Sequence, residues 1–280
     1  MRLRTFRRFI ALSLASIALT AVSPDAQDTD YVGRMKKLNL PTLPGNVPAY
    51  YVTGHRERAE MLQRRLDECN AFFEQRLGVR ADVTLAVLDA AGWKAVTGES
   101  YGLPQVGGTP AVVLMPATSG SPAFQLMVAR RNAIPPDLLK AFLAQRGTTF
   151  EGTADQFVDL IGFHELGHVL TMRYGIDPTN RWMSEFLASY WMHAYISERQ
   201  PEWKAVFDLM GRPSAERPKN TSLEDFERLY GRVDDYGWYQ GHFETRIREI
   251  YPTQFLQRLE KIAPGSRAWG ETFSPAPAGR

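Results

Sequence analysis

The sequence predicts an α+β fold on three observations. Segments of strand-like composition, residues 81–88 (ADVTLAVL) and 110–116 (PAVVLMP), lie in the first half of the chain. Apolar residues at helical spacing dominate the second half. No internal repeat and no heptad run competes with these patterns. Strands gathered ahead of helices are the order expected of α+β rather than of alternating α/β units. The expected architecture is a small mixed sheet packed on one long helix, followed by a mainly helical C-terminal lobe. The division reads as residues 1–26, 27–175 and 176–280.

The composition narrows the function classes. Hydrophobic residues make up 44% and charged residues 23%, which excludes a charge-driven disordered chain and a polytopic membrane protein. The formal charge of +2 owes much to Arg2, Arg4, Arg7 and Arg8, so the remainder is near neutral and offers nucleic acid no basic stripe. Those arginines, the apolar stretch from Phe9 to Val22 and the small residues Ala21, Ser23 and Ala26 read as a signal peptide cleaved after Ala26. The expectation is an exported protein, periplasmic or secreted, with no membrane span in the mature chain; an uncleaved signal anchor is the alternative. The single cysteine, Cys69, excludes an internal disulfide and falls on the apolar side of a helix, where it reads as a small core hydrophobe.

The elements follow in order. Residues 27–48 are polar and proline-bearing and read as an extended lead-in. Leu62, Leu66, Cys69 and Phe73 define an amphipathic helix from Arg56 to Leu77, closed by Gly78. After the two strands, Pro135 and Pro136 open a short helix that stops before Gly147. Thr153 with Gln156 forms a capping-box pattern that starts a long helix, which runs to about Tyr174 with Gly175 at C′. Asn180 is the candidate N-cap of a second helix over about Arg181 to Arg199. Further helices are expected at about 202–211, 223–231, 238–250 and 253–262, before a loose tail after Pro264.

The long helix carries His164-Glu165-Leu166-Gly167-His168. Histidines at i and i+4 lie about 40° apart around a helix, so both imidazoles reach one Zn²⁺. Glu165 is offset by about 100°, away from the metal but within reach of a metal-activated water, which is the chemistry of H-E-x-x-H. Phe157, Leu160, Ile161 and Leu170 supply this helix with apolar surface, so packing does not require the histidines. A catalytic zinc site needs a third protein ligand. Glu185 is the leading candidate: it stands among Trp182, Met183, Phe186 and Leu187, where an acid is costly unless paired or ligated. His193 and Glu198 are the weaker alternatives.

This motif, with a glutamate on the next helix, resembles the gluzincin clan of zinc metallopeptidases. The resemblance covers residues 80–250 as architecture and about 25 residues as motif. It implies a zincin-like fold in which an edge strand above the zinc binds extended substrate by strand addition, and the 110–116 segment is the natural candidate for it. It also implies a residue one turn after the glutamate that orients the first zinc histidine; that position is Ser189, where thermolysin-like members carry Asp. The aminopeptidase pattern G-x-M-E-N is absent. Amide hydrolysis further calls for an oxyanion donor, for which Tyr236, Tyr239 and His242 are the candidates.

The function expected from these residues is an exported zinc metallopeptidase with one Zn²⁺ per chain, Glu165 as general base and a peptide or protein substrate. One alternative is a catalytically silent, peptidase-like zinc protein acting in envelope assembly or protein binding. Another is a zinc hydrolase acting on a non-peptide bond.

Overall fold

The computed structural model describes residues 29–178, 180–212, 219–230 and 236–250. The leader, the helix expected at 253–262 and the tail lie outside the described residues. So do Asp234 and Asp235, which precede the 236–242 segment.

The fold is α+β, built on one five-stranded sheet. Its strands are β1 (Thr42–Leu43), β2 (Ala49–Tyr51), β3 (Thr84–Leu88), β4 (Gln105–Gly107) and β5 (Val112–Pro116), in the order β1-β2-β3-β5-β4. The three inner strands β2, β3 and β5 run parallel, while β1 and β4 are antiparallel edges. Every residue of β3 and β5 is buried. A parallel strand covered on both faces reads as an unbroken apolar run, and both segments have that composition.

Three expectations need correction here. The 110–116 segment is not the edge: β5 pairs with β3 on one side and β4 on the other. Its prolines do not force it outward, because Pro110 lies before the strand and Pro116 at its last position. The edge strand is β4, whose three partly buried residues have no strand-like composition. The lead-in is not extended throughout either. Asp30 accepts a hydrogen bond from the Gly33 amide at 2.7 Å and caps α1 (Tyr31–Lys37), which buries Tyr31 and Met35. Helices α3 (Ala90–Thr97) and α4 (Pro122–Ala129) also stand where none was expected.

The long amphipathic helix is α2 (Arg56–Leu77), with Gly78 at φ 69° and Cys69 fully buried, its thiol pushed up by desolvation. A short helix α5 (Pro136–Arg146) ends at Gly147, as its prolines and glycine indicate. The central helix is α6 (Phe150–Arg173). It begins one turn earlier than its capping-box pattern suggests: Thr149, extended at φ −92° and ψ 165°, accepts from the Gly152 amide at 3.0 Å. Thr153 lies inside the helix and donates back to the Thr149 carbonyl. The buried ring of Phe150 explains the extra turn. At the other end Gly175, at φ 81°, donates to the Met172 carbonyl and Ile176 to that of Thr171, the two bonds of a Schellman cap.

Four helices follow: α7 (Arg181–Arg199), α8 (Pro201–Met210), α9 (Leu223–Leu229) and α10 (Tyr236–Ile250). Their positions agree with the helical spacing of the sequence. No described helix is long and apolar enough to cross a membrane.

Helix α6 lies between the sheet and α7, and two glycines set both distances. A Cβ on Gly162 would come within 3.2 Å of the Met115 sulfur on β5. One on Gly167 would come within 2.7 Å of the Ala188 carbonyl oxygen on α7. Asp159 is held by Arg58 and Arg65 at 2.5 and 2.6 Å, tying α6 to α2. Burial pushes the Asp159 carboxyl up despite both guanidiniums, and the Arg65 guanidinium stacks on Trp203.

Candidate metal centre

Helix α6 presents His164, Glu165 and His168; α7 presents Ser184, Glu185 and Ser189. The first turn of α7 is fixed by a neighbour rather than by its own cap. Asn180 occupies the N-cap position without a side-chain capping bond. The Trp182 amide instead donates to Glu227 of α9 at 2.9 Å. Glu185 therefore sits in a helical turn anchored from outside.

His164, His168 and Glu185 bring their ligand atoms within 4.8 Å of one another. Nε2 of His164 lies 3.2 Å from Oε2 of Glu185, and Nε2 of His168 lies 3.8 Å from Oε1. The other ring nitrogens are both engaged: Nδ1 of His164 with Oγ of Ser189 at 3.1 Å, and Nδ1 of His168 with Oγ of Ser184 at 3.0 Å. A serine behind each imidazole leaves both Nε2 atoms facing inward. Tetrahedral bonds of about 2.0–2.1 Å place neighbouring ligand atoms about 3.3 Å apart. The spacings found fit a small divalent ion, and a donor set of two imidazoles and one carboxylate suits such a centre.

The electrostatics follow from burial. Desolvation would raise Glu185, but the two histidines and Tyr230 outweigh it and hold the carboxyl well below the usual range. Burial lowers His164, yet contact with Glu185 leaves it raised above its ordinary value. Burial takes His168 down to about 4, against the pull of Glu185. Glu185 is thus a fixed anion between two imidazoles, the charge state a cation requires.

The carboxylate of Glu185 is further held by α10 and by the residue after α9. Tyr230 donates to Oε1 at 2.6 Å; Tyr236 and Gln240 donate to Oε2, each at 2.8 Å. Tyr236 and Gln240 are one turn apart on α10 and meet each other at 2.7 Å.

The sequence-derived site residues divide accordingly. The structure brings together His164, Glu165, His168, Glu185, Ser189 and Tyr236. It does not bring in Tyr239 or His242. Tyr239 is buried against Phe226 and donates to the Ser222 carbonyl at 2.9 Å. His242 is exposed on α10 and packs against Trp238, with ring centroids 4.0 Å apart and the planes tilted by 53°. On a helix whose 236 and 240 positions face Glu185, 239 and 242 turn away. The weaker ligand candidates also lie elsewhere. His193 is buried two turns along α7, beside Ser197 and Phe207. Glu198 lines a cleft with Phe72, Gln75, Arg76 and Arg199, about 20 Å along α7 from Glu185. Ser184, Tyr230 and Gln240 are participants that sequence reasoning missed. The i, i+4 pairing of Gln240 with Tyr236 was the only sequence trace of Gln240; Ser184 and Tyr230 left none.

Glu165 is buried beside the triad. Desolvation raises its carboxyl to about 8, His164 opposes that, and the Val106 amide hydrogen-bonds it. The edge strand β4 thus passes directly over the HExxH helix and touches Glu165.

One more acid is buried on this side. Glu244, a turn beyond Gln240, is raised to about 8 by desolvation against the pull of Arg130 and Arg248. Its Oε2 has no hydrogen-bond partner among the described residues. A raised carboxyl stabilises the fold fully below its unfolded value of 4.5, and that contribution is lost as pH rises through about 8. Glu244→Gln should therefore melt increasingly above the parent from pH 4.5 to pH 8, then at a constant offset. Parallel melting curves for the two proteins across that range would contradict the assignment.

No protein-family model matches the chain, and neither a curated protein nor a solved structure matches it.

Proposed function

We propose that the chain is a zinc-dependent metallopeptidase with a zincin-like arrangement of the gluzincin type. The observation that carries this reading is the convergence of His164, His168 and Glu185 on one point, with Glu165 buried beside them. The leader read at residues 1–26 supports the periplasm or the exterior as its compartment, and the proposed substrate is a peptide or protein.

His164, His168 and Glu185 would hold the zinc ion, which supplies Lewis acidity toward a water and a peptide carbonyl. Glu165 takes the proton of the attacking water as the new C–O bond forms. It returns that proton to the amine as the C–N bond breaks. Tyr230 donates its single hydroxyl proton to Glu185 and helps hold that ligand in place. Strand β4 is an edge of the sheet beside Glu165, and an extended peptide would add to it there.

The test is metal content and peptide hydrolysis of the parent and of Glu185→Ala. About one zinc per chain, chelator-sensitive cleavage of a peptide library, and loss of both in the variant are expected. A variant that keeps its zinc would remove Glu185 from the ligand set and with it the gluzincin arrangement. A parent that binds zinc and cleaves no peptide would leave a metal-binding protein.

A further inference from the structure

We propose that Gln240 is a positioning residue that ties two of the three metal ligands together and sets the ring tautomer of His164. The proposal rests on reading the triad as a metal site and needs no assumption about the substrate. The amide of Gln240 has only one workable orientation. Its Nε2 faces the Glu185 carboxylate at 2.8 Å and the Tyr236 oxygen at 2.7 Å, and Tyr236 already gives its own proton to Glu185. Both neighbours need donors, so the nitrogen must point at them.

The amide oxygen of Gln240 then faces Ser189, whose hydroxyl donates to it at 3.5 Å, the longest link of the chain. A serine hydroxyl has one proton. With that proton directed at Gln240, Ser189 meets Nδ1 of His164, 3.1 Å away, as an acceptor. His164 must therefore carry its proton on Nδ1 and leave the Nε2 lone pair for the metal. Without the Gln240 oxygen, Ser189 can donate to Nδ1 instead, which admits the Nε2–H tautomer that cannot ligate.

The bonds run in one direction, from His164 to Ser189 to Gln240 to Glu185. His164 and Glu185, holding one cation between them, would close these bonds into a ring. Gln240 on α10 gives Glu185 a donor and, by taking the Ser189 proton, leaves Ser189 as the acceptor for His164, while contributing no ligand of its own.

The experiment measures zinc dissociation constants by chelator competition for the parent, Gln240→Met, Ser189→Ala and the double variant. Methionine keeps the volume of glutamine and removes both polar ends, and Ser189→Ala breaks the same chain with a smaller change. Thermal melting of the metal-free proteins identifies any variant that fails to fold, in which case the other single variant carries the comparison with the parent. Each single variant is expected to weaken zinc binding by about 10–100-fold. The double variant should lose much less than the product of the two, because a chain broken once gains little from a second break. Unchanged affinity in Gln240→Met, or losses that multiply, would overturn the proposal while leaving the metal site intact. A parent without zinc would overturn the metal-site reading itself, and this proposal with it.

Discussion

Replacing Glu165 by Gln is expected to leave about one zinc per chain and to lower kcat/KM for peptide hydrolysis by about 10²–10⁴-fold. The side chain is offset from the ligand face of α6, so its loss removes no metal bond. Glutamine has nearly the same shape, and its amide oxygen can accept the hydrogen bond of the Val106 amide in place of the carboxylate. What disappears is the proton acceptor. The fold should not suffer, because in the metal-free protein a buried carboxyl raised to about 8 costs stability that grows from pH 4.5 up to that pH, and the neutral amide removes this cost. Metal analysis, a melting curve and steady-state kinetics on one preparation separate these effects. Full activity in a zinc-loaded Glu165→Gln protein would end the case for Glu165 as the base.

Gly167→Ala is expected to cost about 1–3 kcal/mol of stability and to weaken zinc binding by at least 10-fold. Gly167 is one of the two unspecified positions of the HExxH motif, and its role is steric. An added Cβ would meet the Ala188 oxygen at 2.7 Å and its Cα at 2.9 Å, backbone atoms that cannot rotate aside. Helix α7 must move, and Ser184, Glu185 and Ser189 move with it. The third ligand and both serines behind the imidazoles thus shift relative to His164 and His168. Helix propensity acts in the opposite direction, since alanine favours a helix interior over glycine by about 1 kcal/mol. A melting temperature above that of the parent, with unchanged zinc affinity, would show that the close approach of α6 and α7 is not what positions the site.

The comparison between sequence and structure turns on a few residues. The capped ends of α2, α5 and α6 at Gly78, Gly147 and Gly175 were legible because a left-handed residue after a helix selects glycine locally. The start of α6 was misplaced because Thr149 and Thr153 both fit a cap, and only the burial of Phe150 decides between them. Strand β5 was expected at the edge from the resemblance, yet strand order is set by crossovers that carry no local signature. Strand β4 went unseen because three residues offer no period to detect. His242 and Tyr239 have the right chemistry and the wrong rotation: packing turns the 236 and 240 face of α10 toward Glu185 and leaves 239 and 242 elsewhere.

The sequence by itself determined that two imidazoles and a glutamate share one helix, because helical periodicity converts the spacing of His164 and His168 directly into a common face. It determined Glu185 as the third member through the cost of an acid among apolar neighbours, and Cys69 as a packing residue. Only the tertiary structure decided what holds these groups. The serines behind the imidazoles, the Tyr230, Tyr236 and Gln240 donors on Glu185, and β4 above Glu165 are contacts between elements far apart in the chain. Their register depends on how closely Gly162 and Gly167 let α6 approach the sheet and α7, a packing distance that no local pattern encodes.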